Sequence, residues 1–325
     1  MLHRRQAIKA LLIATPGAVL LPAFAQDQYA SRPIKLVVGF PPGGPTDIIA
    51  RLLAERLREA LGRPVLVENR AGAGGNIAAE AVAKAAPDGY TLLYASLSIA
   101  ISPGLYDKLA FDVKRDFVPV AETVSIPMVL LVNPKVPASN VAEFVRHAKA
   151  NPGKLNYASS GNGTITHLAA ALFSLRNGIQ TQHVPYKGTA PALTDLVAGN
   201  VEFTIGTINT ALQFVREGRL RAIAVTGLAR ASSLPAVPTL DESGMKGFEA
   251  SAWQGVMAPA GTPPAIINKL STEISKALAR PDLRAQLAPQ DAEVRATSPD
   301  RFAQYLGAEV SRWVQVIKDT GTKLE

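Results

Sequence analysis

Hydrophobic positions along the chain alternate between two spacings. Short β-branched runs at Ile34 to Val38, Val65 to Glu68 and Thr91 to Tyr94 have the length and composition of strands. Between them lie helix-period segments that begin near Pro45 and Gly75. In the first of these, Ile48, Ile49, Leu52, Leu53, Leu57 and Leu61 recur at three- and four-residue steps and form one apolar stripe, which Gly62 and Pro64 end. The order βαβαβ predicts a parallel sheet with right-handed crossovers. The alternation resumes with a strand over Val129 to Val132. A helix to Ala150 follows, opened by an Asn140–Glu143 capping box and broken by Asn151-Pro152-Gly153. Strands over Leu155 to Ala158, Gln182 to Pro185, Glu202 to Ile205 and Arg221 to Val225, with helices between, make a second α/β unit. After the Pro-rich stretch Leu234 to Pro238, a strand over Trp253 to Ala258 leads into two amphipathic stripes. One holds Ile266, Ile267, Leu270, Ile274 and Leu278, the other Phe302, Tyr305, Leu306, Val310, Trp313 and Ile317. Both need a partner and are expected to pack back on the first sheet.

Two α/β lobes with a returning chain predict a cleft, and ligands of open parallel sheets bind beyond the carboxyl ends of the strands. Two strand ends there have the chemistry of an anion seat. Phe40-Pro41-Pro42-Gly43-Gly44 brings glycines without a Cβ to a helix start, and Pro45 at the first helical position sacrifices an N–H that has no intrahelical partner. The same residues are also ordinary turn chemistry, and Asp47 in the first turn is most simply a carboxylate complementing the helix dipole. In the second unit, Ser159-Ser160-Gly161-Asn162-Gly163-Thr164 precedes a helix carrying Ile165, Leu168, Leu172 and Phe173. Hydroxyls and N–H groups at a positive helix end suit a carboxylate; plain N-capping by Ser160 or Thr164 explains them equally.

Composition narrows the classes. The 325 residues, 47% of them hydrophobic, suit about two domains with sizeable cores. Arg4, Arg5 and Lys9, an apolar run from Ala10 to Leu21 and the small-x-small Ala23-Phe24-Ala25 predict an export signal over 1–25, cleaved after Ala25. The run is shorter than the ~20 residues of a spanning helix. Arg4-Arg5 fits the twin-arginine route, and a basic start fits the general route as well. Removing this segment would leave 31 basic and 26 acidic residues, a net charge of +5 instead of +8. With 6% aromatics and no basic run, nucleic acid is not an expected partner. Absence of cysteine excludes disulfides, thiol nucleophiles and a lipidated N-terminal Cys.

Other chemistries fare worse. Gly72-Ala73-Gly74-Gly75 follows a strand, but Ile77 stands where a dinucleotide fingerprint needs its third glycine, and no acidic residue ends the next strand, because Asp88 sits in a turn before it. No metal spacing is present, so neither cofactor nor metal is expected. Ester or amide hydrolysis in the same cleft is the alternative reading. There is no G-x-S-x-G, and of His147, His167 and His183 only His167 lies near a candidate serine, Ser160, without an evident orienting carboxylate. Tyr186 and Lys187 sit at a strand end from which they could reach the cleft. Trp253 fits the hinge somewhat better than the pocket wall.

Five segments in order carry a resemblance: Gly39 to Asp47, Glu68 to Asn76, Pro87 to Leu92, Val184 to Gly188 and Leu234 to Leu240. From about Pro33 to the last helices the chain resembles the tripartite tricarboxylate transporter receptors, also called Bug receptors. The resemblance implies an α/β, two-lobed periplasmic binding protein of type II-like architecture, its lobes joined by two crossing strands. Residues 26–125 and 250–325 would form lobe 1, and 126–249 lobe 2. It further implies a monomeric periplasmic receptor, not an enzyme, that closes on a small organic carboxylate and delivers it to the transmembrane components of such a transporter. Carried over by position, the ligand would meet Pro42, Gly43, Gly44, Thr46 and Asp47 from lobe 1, and Ser159, Ser160, Gly161, Gly163 and Thr164 from lobe 2. Tyr186 and Thr207 complete the expected set. Gly206-Thr207 replaces the Asp-Asn of many relatives, which removes an acidic contact for a ligand amine or hydroxyl and leaves the ligand unnamed.

Overall fold

The computed structural model describes residues 29–323; the expected export signal and its cleavage after Ala25 lie outside them. The elements in chain order are β1 (Ile34–Val38), α1 (Pro45–Leu61), β2 (Val65–Asn69), α2 (Asn76–Ala83), β3 (Thr91–Ser96), α3 (Ser98–Leu105), β4 (Phe117–Val132), α4 (Val141–Ala150), β5 (Leu155–Ser159), α5 (Ile165–Asn177), β6 (Thr181–Pro185), α6 (Thr189–Ala198), β7 (Phe203–Thr207), α7 (Ile208–Arg216), β8 (Arg221–Val225), β9 (Ser251–Pro259), α8 (Pro264–Ala279), α9 (Pro281–Leu287), β10 (Glu293–Val294) and α10 (Pro299–Thr320). Strand order is β2-β1-β3-β9-β4-β7-β5-β6, with β8 and β10 also paired to β4. Pairing of β1 with β2 and β3 is parallel, as is that of β5 with β6 and β7, while β4 and β9 run antiparallel to their neighbours. The outcome is two α/β lobes on a shared sheet.

The largest departure from the sequence pattern is β4. The expected strand Val129 to Val132 is only the end of a 16-residue strand that is almost wholly buried. From Phe117 to Pro127 it pairs with β9, and from Met128 onward with β7 and β8. Pro119, Pro127, Glu122, Thr123 and Ser125 hide it from a hydrophobic count. Shifts of register at Pro119/Ala121 and at Glu122/Val124 accommodate the irregularity. The chain passes between lobes once in β4 and again through Phe248 to Ala250 into β9. Thr226 ties the two passages together: its fully buried hydroxyl donates to the Ala250 carbonyl and accepts the Met128 N–H at 3.1 Å.

Two differences are smaller. Asn140 caps α4 by accepting the Glu143 N–H at 2.9 Å, but the Glu143 carboxylate reaches Ser139 instead of closing the box on Asn140. Helix α3, which contains Pro103, was not expected. Helix α8 packs on α1 and β4 as expected, whereas α10 packs on α3 and β4 and also reaches α5 in the other lobe. Glu309 anchors α10 to the crossing segment. Its buried carboxylate accepts both indole N–H groups, Trp253 at 3.2 Å and Trp313 at 3.0 Å, and Arg312 lies 3.3 Å away. Trp253, fully buried and edge-on to Phe302, thus fills the hinge.

Beside this anchor, burial pushes the Glu122 carboxyl up to about 7, opposed by Arg295 and reinforced by Glu309 and Glu249. A folded pKa above the unfolded one gives stability that is complete below about 4.5 and lost as pH rises through about 7. Glu122→Gln should therefore unfold at higher temperature than the parent at pH 8 and lose most of that advantage at pH 5. Thermal melts of both forms at both pH values check this, and an equal difference at each would rule out a titrating Glu122.

Candidate functional site

In both lobes each parallel strand hands its carboxyl end directly to a helix start. The loops that do so face one open cleft of about 1100 Å³. Residues at the starts of α1 (Gly44 to Thr46), α2 (Gly74, Gly75), α3 (Leu97, Ser98), α5 (Thr164 to Thr166), α6 (Gly188 to Pro191) and α7 (Thr207, Thr210) line it. Each start presents N–H groups without intrahelical partners, and the positive ends of six helix dipoles converge. Among the described residues, Lys187 is the one formally charged side chain in the lining, and no carboxylate lines it.

On the lobe 1 side, the β1–α1 and β2–α2 loops touch. A Cβ on Gly39 would lie 2.6 Å from the Gly75 Cα, so only glycine permits this approach. Gly43 holds φ at +83° and turns its N–H inward to Asp47 Oδ2 at 2.9 Å. Asp47 is 2% exposed and also accepts Arg51 Nε at 2.9 Å and Asn69 Nδ2 at 2.8 Å. Burial pushes its carboxyl up, but the bonds from Arg51, Gly43 and Asn69 outweigh that and leave it below its ordinary value. Asn69 also donates to the Phe40 carbonyl at 3.0 Å. Asp47 is therefore a brace beneath the loop; it complements the dipole but does not line the cleft.

On the lobe 2 side, the hydroxyl of Thr164 does not cap α5. It donates to the Gly161 carbonyl at 2.8 Å, while Thr166 Oγ1 accepts the Ser160 N–H at 2.9 Å. Neither Ser160 nor Thr164 provides the expected side-chain cap, because the loop folds back on itself.

Of the residues singled out in the sequence, Pro42, Gly43, Gly44, Thr46, Ser160, Gly161, Thr164 and Thr207 line the cleft together. Asp47, Ser159, Gly163 and Tyr186 do not. Ser159 is fully buried with its hydroxyl 2.6 Å from His183 Nε2. Gly163 donates inward to His167 Nδ1 at 3.2 Å, and Tyr186 turns its hydroxyl to Asp195 at 2.6 Å. The pairing of Ser160 with His167 that hydrolysis would need is not formed. Ser160 Oγ instead lies 3.0 Å from Thr166 Oγ1, and no carboxylate bonds to either His167 or His183 among the described residues. Sequence reasoning placed Asn162 in the second seat without naming it as a contact, and missed Ser96, Ser98, Tyr106, Thr189 and Gln254, which come from segments without a glycine run or from the hinge strand. Trp253 reaches the lining as well as filling the hinge. Gln254 Nε2 lies 3.5 Å from Thr46 Oγ1, and its buried Oε1 has no partner among the described residues.

If Asp47 braces the first loop, Asp47→Ala should destabilise the protein by at least about 2 kcal/mol, since it leaves the Gly43 N–H and the Asn69 amide without their buried acceptor. Urea unfolding checks this; a loss under about 0.5 kcal/mol would show that water replaces the carboxylate.

Comparison with known proteins identifies the family. A family described as "Tripartite tricarboxylate transporter family receptor" matches residues 49–322. Protein BugT of Bordetella pertussis is 41% identical over 324 residues, covering 99% of both chains. A Rhodopseudomonas palustris protein solved with adipate superposes with a TM-score of 0.83 at 36% identity, covering 90% of this chain and 99% of its own. MatC from the same organism, solved with malate, gives a TM-score of 0.80 at 36% identity over 89% and 100% of the two chains. Shared sequence along nearly the whole chain and a shared two-lobed fold lead to one conclusion: the chain belongs to the tripartite tricarboxylate transporter receptors, the Bug family of solute-binding proteins.

Proposed function

We propose that this chain is a periplasmic receptor, exported and cleaved after Ala25, that binds a small organic carboxylate without an ammonium group. It would deliver that carboxylate to the membrane components of a tripartite tricarboxylate-type transporter. The observation that carries this reading is the cleft itself, which six helix starts and Lys187 make positive and which no carboxylate side chain among the described residues lines. Anions are stabilised at helix starts by aligned N–H groups, whereas an ammonium group would find no ionised partner. Adipate and malate in the two Rhodopseudomonas palustris structures support a carboxylate. Among the described residues no helix is long and apolar enough to cross a membrane.

The mechanism is closure. We assign residues 26–125 and 250–325 to lobe 1 and 126–249 to lobe 2, so that seats on both lobes flank the hinge made by β4, Thr226 and β9. A ligand that touches both seats only when the lobes are shut binds that state more tightly and shifts the population toward it.

Calorimetry with adipate, malate and aspartate tests the ligand class. Aspartate carries an ammonium group where malate has a hydroxyl, and should bind at least about tenfold more weakly than malate. Ligand recovered unchanged and at one equivalent supports a receptor; turnover of an ester or amide panel would favour a hydrolase. Equal affinity for malate and aspartate would overturn the exclusion of ammonium.

Gly44→Val tests closure. With φ at −79° and only the Pro41 carbonyl near the added Cβ, at 3.7 Å, the substitution fits the ligand-free loop. Thermal stability should be nearly unchanged while carboxylate affinity falls about tenfold or more, as the branched side chain occupies the approach to the N–H groups. Parent-like affinity would make Gly43-Gly44 a turn and nothing more.

A further inference from the structure

Beneath the lobe 2 seat lie two histidines that the cleft does not touch. His167, in the first turn of α5, and His183, on β6, stack face to face with ring centroids 3.6 Å apart and planes 9° from parallel. Tyr157 on β5 adds a third ring, 5.0 Å from His183. His167 is 5% exposed. A stacked imidazole pair could simply fill space, but both rings also make a polar contact to the same loop, one at each end. His183 Nε2 meets Ser159 Oγ at 2.6 Å, and that hydroxyl accepts the Gly161 N–H at 3.1 Å. At the other end, His167 Nδ1 accepts the Gly163 N–H at 3.2 Å.

An account of the loop's donors shows what these contacts do. The Ser160 N–H goes to Thr166 Oγ1, that of Gly161 to Ser159 Oγ, that of Gly163 to His167 Nδ1, and that of Thr164 to the Gly161 carbonyl. Four donors are thus turned inward. The N–H groups of Asn162, Ile165 and Thr166 have no protein acceptor among the described residues, and all three residues line the cleft. Gly161 and Gly163 therefore keep their N–H groups within the loop, although Gly161 also lines the cleft. Gly161 and Gly163 hold φ at +138° and +72°, which lets the chain turn its amides toward the rings.

We propose that His167 and His183 are positioning residues for ligand binding: they pin Gly163 and Ser159 so that the loop presents the Asn162, Ile165 and Thr166 N–H groups to the ligand. This rests on the reading of the cleft as an anion site. To accept an N–H, His167 Nδ1 must be unprotonated, so its proton sits on Nε2. Burial and the neighbouring His183 push His167 down to about 3, and burial pushes His183 down to about 4, which agrees with uncharged rings. Positive charges on both rings would also repel each other across the stack.

The test uses the parent and two variants at pH 7. His167→Phe keeps a flat ring in the stack and removes the acceptor; His167→Asn removes the stack and places a carbonyl oxygen near the former Nδ1. Nitrogen-15 spectra of the parent should show His167 with its proton on Nε2. In His167→Phe the Gly163 amide should lose protection from hydrogen exchange, and affinity for adipate or malate should fall about tenfold or more. His167→Asn should restore Gly163 protection and bring affinity back to within about threefold of the parent. A parent Nδ1–H tautomer, a His167→Phe variant with parent-like protection and affinity, or equal losses in both variants would each overturn the proposal. If the parent binds neither adipate nor malate, the carboxylate reading of the cleft fails instead. Tautomer and exchange still decide whether His167 holds the loop.

Discussion

The first N–H groups of an α-helix cannot be satisfied within it, and the rest of this structure is organised around where those groups are placed. In a parallel sheet every strand points the same way, so every strand-to-helix loop emerges at the same edge. Three such loops leave each lobe, from β1, β2 and β3 on one side and from β5, β6 and β7 on the other, and both edges face a single cleft. A positive, donor-rich surface therefore arises without an arginine among the described lining residues. The chain then uses buried groups to decide which donors stay free. Asp47 takes the Gly43 N–H, and Ser159, Thr166 and His167 take three from the second loop.

Placing the donors on two lobes makes the hinge part of the binding site. Strand β4 belongs to both lobes and its partners change from β9 to β7 and β8 near Met128, which is where the proposed closure would be absorbed. Thr226 joins the two passages at that level with one hydroxyl. On the same segment Trp253 reaches the cleft while its indole N–H is held by Glu309 on α10. A buried carboxylate is costly unless its lone pairs are filled, and the second indole from Trp313 together with Arg312 does that. The cleft floor, the crossing segment and the last helix are consequently linked by hydrogen bonds and by packing of Trp253 on Phe302.

Much of this was legible in the sequence because it depends on local spacing. The period of Ile49, Leu53 and Leu57 fixes the buried face of α1, and Gly62 in the left-handed region ends it whatever lies nearby. The glycines and prolines before α1 mark a strand-to-helix junction by themselves. Glycine requirements set by distant backbone, such as Gly39 against Gly75, are also visible as glycines, though not the contact that demands them.

What the tertiary structure alone decided is which way each polar group faces. Asp47, Ser159, Gly163 and Tyr186 sit in segments that border the cleft, yet their polar atoms turn to Gly43, His183, His167 and Asp195. Ser96, Ser98 and Gln254 reach the same cleft from the end of β3, the start of α3 and the hinge strand, without a local motif. The long strand β4 stayed half hidden for a related reason. Pro119 at a register shift, and buried polar residues such as Thr123, whose hydroxyl donates to the Gln254 carbonyl at 2.9 Å, interrupt the apolar run of a strand buried on both faces. Spacing along the chain determined the helices, the strands and where donors would be left over. Contacts between residues far apart in sequence determined which of those donors remain available to a ligand, because a hydrogen bond goes to whichever acceptor the folded chain brings within reach.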